Sequence, residues 1–227
     1  MLITIFGSAG PTGLELCRQA LAAGHDVRAV SRRTDPLALP AGDHWEQVLA
    51  DAVTGDGVLE AVRPADAVLS VLGSSYGLRE ITVYSRGTRS IVEALRRRPG
   101  ARRLIVVSSG LTYPPPPMSW AADHIAFPLL RHVVGRTLYT DMRRMEEHLQ
   151  ACTDIAWTVM RPARLFDADQ VSDYRVDDGG PTQGWTSRQD LAAAMLAEVR
   201  RTRSVHLAVS PTTDRSTTRS RDDRRSA

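Results

Sequence analysis

Gly7, Gly10 and Gly13 punctuate the run Gly7-Ser8-Ala9-Gly10-Pro11-Thr12-Gly13, directly after the apolar stretch Leu2 to Phe6 and directly before a helical pattern. Each glycine in such a run has its own purpose. Gly7 permits a tight turn, Gly10 lets the main chain approach a pyrophosphate, and Gly13 lets the helix pack close to the strand. The helix that follows opens with unbonded N–H groups and the positive end of its dipole, where phosphate oxygens bind. Thr12 adds a hydroxyl donor, and Ala9 and Pro11 complete the candidate loop. A strand, a glycine loop and a helix in that order, at the first turn of an alternating chain, predict a bound dinucleotide.

The residues about twenty positions further on discriminate between dinucleotides. An Asp or Glu at the end of the second strand would accept hydrogen bonds from ribose hydroxyls. Here the strand runs out into Ser31-Arg32-Arg33, with no carboxylate. Arg32 offers a forked, permanently charged partner for a 2′-phosphate, so NADP(H) is the expected cofactor rather than NAD(H). Asp51, followed by Ala52, is placed to meet the adenine edge, or alternatively to cap the next turn.

Other chemistry is sparse. Every basic side chain is arginine, which excludes a Schiff-base lysine, a lysine general base and a P-loop. Cys17 and Cys152 are too few and too far apart for a disulfide framework or a zinc pattern. His124, His132 and His148 lack metal-ligand spacing and read as exposed helix residues, so no metal is expected. Ser109 stands at the carboxyl end of the strongest strand, where a hydroxyl reaches substrate or a carboxamide; Ser108 points the other way by strand alternation. Tyr113 and Trp120 are placed to stack on a flat acceptor or to fill the core of their own loop. Asp141, Glu146 and Glu147 share one long helix and read as surface charge, or alternatively as a carboxylate pair serving as acid and base. Asp190 follows Ser187 at capping-box spacing and is assigned to structure.

These residues need a scaffold that brings strand ends together. Strand patterns at Leu2 to Phe6, Asp26 to Val30, Gln47 to Ala50, Ala67 to Leu72, Leu104 to Val107, Ala156 to Met160 and Val205 to Val209 alternate with helical ones. The helices are Thr12 to Ala23, Tyr84 to Arg98 and Pro128 to Ala151. The strands are continuous apolar runs, as in a parallel sheet covered on both faces. The expected fold is one doubly wound, Rossmann-like α/β domain over residues 1–210, with residues 211–227 a disordered tail rich in Arg, Ser and Thr. Leu111 to Phe127 contains four consecutive prolines and reads as a stiff extended loop at the carboxyl edge of the sheet, where ligands of such sheets bind. Asp167 to Gly184 reads as irregular.

The 227 residues suit one domain with its own core, and the formal charge of +3 is concentrated in the tail rather than on a folded basic face. Nucleic acid is therefore not an expected partner, and no apolar run approaches the roughly 20 residues that span a bilayer, so neither is a membrane. The amino end reads as a first strand and not a signal peptide, which makes the cytoplasm the default location.

The loop Gly7 to Gly13, the pair Ser31-Arg32, Val71-Leu72-Gly73-Ser74, Tyr84 to Thr88 and Val107-Ser108-Ser109 occur in an order that resembles atypical short-chain dehydrogenase/reductases. Asp141 to Glu146, Trp157 to Pro162 and Ser187 to Leu191 extend the resemblance toward the NAD(P)H-binding branch similar to biliverdin and flavin reductases, over about residues 1–209. The resemblance implies NADP(H) along Gly7 to Gly13, Arg32, Asp51, Leu72, Gly73, Ser108 and Ser109, with Pro162 beside the nicotinamide. It also implies hydride transfer to a planar small molecule such as a flavin, quinone or polycyclic aromatic metabolite. The alanine- and arginine-rich composition suits a bacterial enzyme of secondary metabolism. Two departures matter. The Tyr-x-x-x-Lys pair of ketone-reducing relatives is Tyr139 and Arg143 here, and Ala163-Arg164 stands where flavin-reductase relatives carry a histidine after the proline. Tyr139 is thus a candidate catalytic tyrosine or a packing aromatic. A redox sensor that binds NADP(H) without catalysis, and a non-redox isomerase or cyclase, remain alternatives. A monomer and a homodimer are equally compatible with the sequence.

Overall fold

The computed structural model describes residues 1–77, 79–100, 102–113, 135–179 and 184–214. The four prolines, Trp120, His124 and His132 lie outside the described residues, as do residues 215–227 of the expected tail. The elements run β1 (Leu2–Phe6), α1 (Pro11–Ala22), β2 (Asp26–Ser31), β3 (Trp45–Leu49), α2 (Val58–Val62), β4 (Ala67–Ser70), α3 (Val83–Arg96), β5 (Arg103–Val107), α4 (Arg136–Gln150), β6 (Ala156–Met160), β7 (Arg164–Phe166), β8 (Arg175–Asp178), β9 (Trp185–Ser187), α5 (Arg188–Glu198) and β10 (Leu207–Thr212).

The main sheet has the order β3-β2-β1-β4-β5-β6-β10-β8. Its strands are parallel except that β8 pairs antiparallel with β10. The order reverses beside β1, so the ends of β1 and β4 form the crevice where open α/β sheets bind ligands. Strand alternation divides the core in two. Phe6, Leu104, Val106, Trp157 and Val159 face α2, α3 and α4. Ile3, Ile5, Ile105 and Met160 face α1 and α5. The doubly wound α/β domain expected from the sequence is therefore present. No helix among the described residues is long and apolar enough to cross a membrane.

Helix ends are closed by specific groups. Pro11 opens α1, and Gly24, at φ +75°, closes it. The N–H of Gly24 bonds the Leu21 carbonyl at 2.9 Å and that of His25 the Ala20 carbonyl at 3.0 Å, a Schellman ending. Ser187 caps α5 by accepting the Asp190 N–H at 2.9 Å. Asp190 itself does not complete a capping box. Its carboxylate accepts the N–H and hydroxyl of Ser172 and the hydroxyl of Thr213, tying the chain's last described turn to α5.

Three expectations need correction. The last strand starts later and runs further than Val205 to Val209. Residues 202–206 form a turn with His206 at φ +63°, and Pro211 and Thr212 pair with Val176 and Arg175 of β8. Pro211 is tolerated there because it keeps its carbonyl, which accepts the Thr186 hydroxyl at 2.7 Å. Residues 211–214 thus belong to the fold and not to a tail. The stretch Asp167 to Gly184 is not wholly irregular either, since it contains β8. Finally, Asp141 and Glu146 are buried, at 0% and 2% exposure, so neither is surface charge.

Candidate functional site

The glycine loop has the shape a pyrophosphate requires. Gly7 sits at φ +82°, and a Cβ on it would lie 2.7 Å from the Val71 carbonyl oxygen. A Cβ on Gly13 would lie 2.1 Å from the Gly7 oxygen, so α1 can approach β1 only without a side chain there. The loop is held from below: the N–H groups of Gly7 and Ser8 and the Ser8 hydroxyl all bond the Val30 carbonyl. The first helical bond runs from Leu14 N to Gly10 O at 2.9 Å, which leaves the Thr12 and Gly13 N–H groups ahead of it in the first turn. That cradle fits the diphosphate of a dinucleotide.

Beside it, at the ends of β2 and β3, Arg32 lies 3.9 Å from Asp51 with its side chain 70% exposed. The contact is loose and the guanidinium stays available to a phosphate. Asp51 has a second engagement: its Oδ1 accepts the Val53 N–H at 2.7 Å, so it also closes the turn after β3. The hydroxyl of Ser31 accepts the Arg33 N–H at 2.8 Å, fixing the exit of β2. Gln47, which the sequence reading passed over, holds the following loop by donating to the carbonyls of Arg33 and Asp35. Ala52 is buried against Gly87, where a Cβ would meet Leu72 at 2.6 Å; Gly73 is open. The loop from Gly7 to Gly13 with Ser31, Arg32, Arg33, Asp51, Ala52, Leu72 and Gly73 therefore forms one continuous edge.

A second cluster occupies the ends of β5 and β6. Gly110 N bonds the Pro162 carbonyl at 2.9 Å and brings the two strand exits together. Ser108 is 3% exposed. Its hydroxyl donates to Glu146 at 2.5 Å and lies 3.0 Å from the Thr112 hydroxyl, so the side chain serves the interior and not a cofactor. Ser109, half-buried, accepts the Leu111 N–H at 3.2 Å and shapes the turn. Arg161 is bound to Glu146 through Nε and Nη2 and lies over the Tyr113 ring, 4.4 Å from its centre. Arg143 lies 5.6 Å from the same ring and donates to the Thr112 carbonyl at 3.1 Å. Burial pushes the Tyr113 phenol up, Glu146 adds to this, and the two guanidiniums oppose it.

This arrangement revises two roles. Tyr113 has Arg161 across a face, so stacking on a flat acceptor is less suited to it than a role for its hydroxyl. Tyr139 is 4% exposed in the core, with its hydroxyl 2.9 Å from that of Tyr76. It packs α4 rather than pairing with Arg143, which turns toward Tyr113. Sequence reasoning passed over Thr112 and Arg161 and misread Glu146 as surface charge. A signal was present for one of them: Glu146 falls on the stripe of Leu138, Met142, Met145 and Leu149, and a carboxylate on a buried stripe needs a partner. A cleft of about 310 Å³ adjoins this cluster: Glu146 and Arg161 line it together with Trp157, Val159, His206 and Leu207.

Comparison with known proteins agrees with this geometry. A family model described as NAD(P)H-binding matches residues 7–202. A UPF0659 protein of Schizosaccharomyces pombe is 26% identical over 223 residues, which is 93% of this chain and 89% of its own. Among solved structures, a short-chain dehydrogenase/reductase from Veillonella parvula, in complex with NADP, superimposes with a TM-score of 0.74 at 19% identity, covering 96% of each chain. A Streptococcus pneumoniae protein provisionally described as an NADH-flavin reductase gives 0.75 at 17% identity, over 94% of this chain and 100% of its own.

Proposed function

Because the chain belongs to the NAD(P)H-binding family, we propose that it is an NADPH-dependent reductase that delivers a hydride to a flat acceptor such as a flavin, a quinone or a polycyclic aromatic metabolite. The observation that carries the choice of NADPH is Arg32. It stands at the end of β2, 70% exposed, where NAD-specific sites place a carboxylate. A 2′-phosphate would bind the guanidinium bidentately, and nearby Asp51 is already engaged in its own turn.

The reaction class rests on the second cluster. A bound reduced dinucleotide supplies hydride, and the protein positions and polarises the acceptor. The exits of β5 and β6 are joined at Gly110 and Pro162, and Tyr113 and Arg161 lie together there. That gives the acceptor a polar end and a proton source beside the expected nicotinamide position. A small planar molecule is the expected partner, in the cytoplasm, with the protein acting as a monomer or a homodimer.

The test is loss of nicotinamide absorbance from NADPH in the presence of a flavin, then a quinone. Oxidation that depends on the acceptor supports the reductase. Tight NADPH binding with no oxidation by either class selects a second reading, a dinucleotide-binding sensor, which the burial of Tyr139 and the lack of a Tyr-Lys pair favour.

A further inference from the structure

Glu146 is an acid inside the protein, 2% exposed on the stripe of α4 that faces the sheet. Its Oε1 accepts the Ser108 hydroxyl at 2.5 Å and Arg161 Nε at 3.3 Å; its Oε2 accepts Arg161 Nη2. Arg161 Nη1 donates to the Gly179 carbonyl at 3.1 Å. All three guanidinium nitrogens are therefore engaged, and the group is fixed 4.4 Å from the centre of the Tyr113 ring. A buried ion pair contributes little net stability compared with apolar residues of the same size, but it constrains geometry strongly. Here the constraint crosses three elements: the end of β5, the end of β6 and the middle of α4.

We propose that Glu146 is a positioning residue for the reduction, holding Ser108 and Arg161 so that Tyr113 is presented to the acceptor as its proton donor. The proposal rests on the reductase reading. Two electrons and one hydrogen nucleus reach the acceptor as hydride from a reduced nicotinamide dinucleotide. The acceptor's heteroatom then takes the phenolic proton as the Tyr113 O–H bond breaks. The phenolate, whose ring centre lies 4.4 Å from the Arg161 guanidinium and 5.6 Å from that of Arg143, regains a proton from water. Glu146 touches neither reacting atom and acts through Arg161.

The decisive variant is Glu146→Gln, with two readouts. The first is the NMR resonance of the Arg161 Nε–H, taken without acceptor or dinucleotide. In the wild type the Tyr113 ring shields it, and in the variant it returns to the position of a free arginine. The second is steady-state reduction of a quinone by NADPH. In Glu146→Gln, kcat falls by about 10- to 100-fold while KM for NADPH stays within about twofold, because the lost interaction serves the transition state and not the cofactor. Tyr113→Phe gives a similar loss, and the double variant loses little more, since the two residues act as one unit. Wild-type kcat in Glu146→Gln, in an enzyme that does reduce the quinone, overturns the proposal and leaves the reductase reading standing. If the wild type reduces no acceptor at all, the reductase reading fails and this proposal fails with it. Should Glu146→Gln not fold, Glu146→Met/Arg161→Met replaces the pair with apolar side chains: a folded protein with depressed kcat supports the proposal, and one with wild-type kcat overturns it.

Discussion

The carboxylate of Asp141, on α4, accepts the main-chain N–H of Tyr84, on α3, at 2.9 Å, so one helix caps another across the domain. The same carboxylate accepts the N–H and the hydroxyl of Ser85. Thr82, the residue before α3, makes no side-chain cap of its own. The first turn of α3 therefore depends on a residue 57 positions away. It follows the Leu72-Gly73 segment of the candidate dinucleotide edge after nine intervening residues, and the Ser74 N–H bonds the Tyr84 hydroxyl at 3.2 Å.

Asp141→Ala leaves two first-turn N–H groups and a hydroxyl without their acceptor in a buried place. The expected cost is about 2–3 kcal/mol, the sum of a lost cap and an unsatisfied donor. Urea denaturation of the variant against the wild type measures it. A change below about 0.5 kcal/mol, the range of ordinary surface substitutions, would show that the cap does not support α3.

Gly13→Ala tests the loop. The added methyl would lie 2.1 Å from a main-chain oxygen that cannot swing aside, so the loop or α1 must move. Overpacking of this kind costs about 1–3 kcal/mol, and the displaced cradle should also weaken NADPH binding. Thermal melting and a fluorescence titration read the two effects. Gly10→Ala is the contrast, because its nearest neighbour is the Gly7 oxygen at 3.4 Å, an ordinary contact distance. Its stability should stay close to that of the wild type.

Much of this was readable before any coordinates. The glycine loop, the strands Leu2–Phe6 and Ala156–Met160, and the Ser187 cap are local patterns, and a local pattern is visible in a single chain. β7, β8 and β9 are only three or four residues long, too short to show a period, and β8 is paired to a strand more than thirty residues later. Glu146 and Asp141 were misread for another reason. Charge suggests a surface, and what buries them is an arginine on β6's exit and a helix end on α3, which the sequence does not bring together by spacing. Tyr139 was a candidate only because of its distance to Arg143, and the fold turns those two side chains to different partners.

The pH dependence of stability has a predictable acid limb. Asp154 is held at about 2, from an ordinary 3.8, chiefly by its hydrogen bonds to Arg96. Its folded-state value lies below its unfolded one, so the contribution is complete above 3.8 and fades as pH falls through about 2. Asp154→Asn should flatten the stability profile between those limits and leave it parallel to wild type near neutrality. Guanidinium midpoints taken across that range check this. An acid limb unchanged in the variant would mean that other carboxylates dominate.

Arg32→Asp removes the phosphate partner and supplies a ribose acceptor at the end of β2. NADPH should bind about 10- to 100-fold more weakly, the equivalent of one charge-assisted contact, and NADH more tightly than in the wild type. Isothermal titration with both dinucleotides reads the exchange.

The most direct test is a fluorescence titration of the wild-type protein with NADPH and with NADH at the same ionic strength. The geometry of the glycine loop and Arg32 predicts saturable binding of both, with NADPH the tighter by at least about tenfold. Equal affinity would remove Arg32 from the site, and no binding of either would contradict the assignment of the Gly7 to Gly13 edge as a dinucleotide cradle.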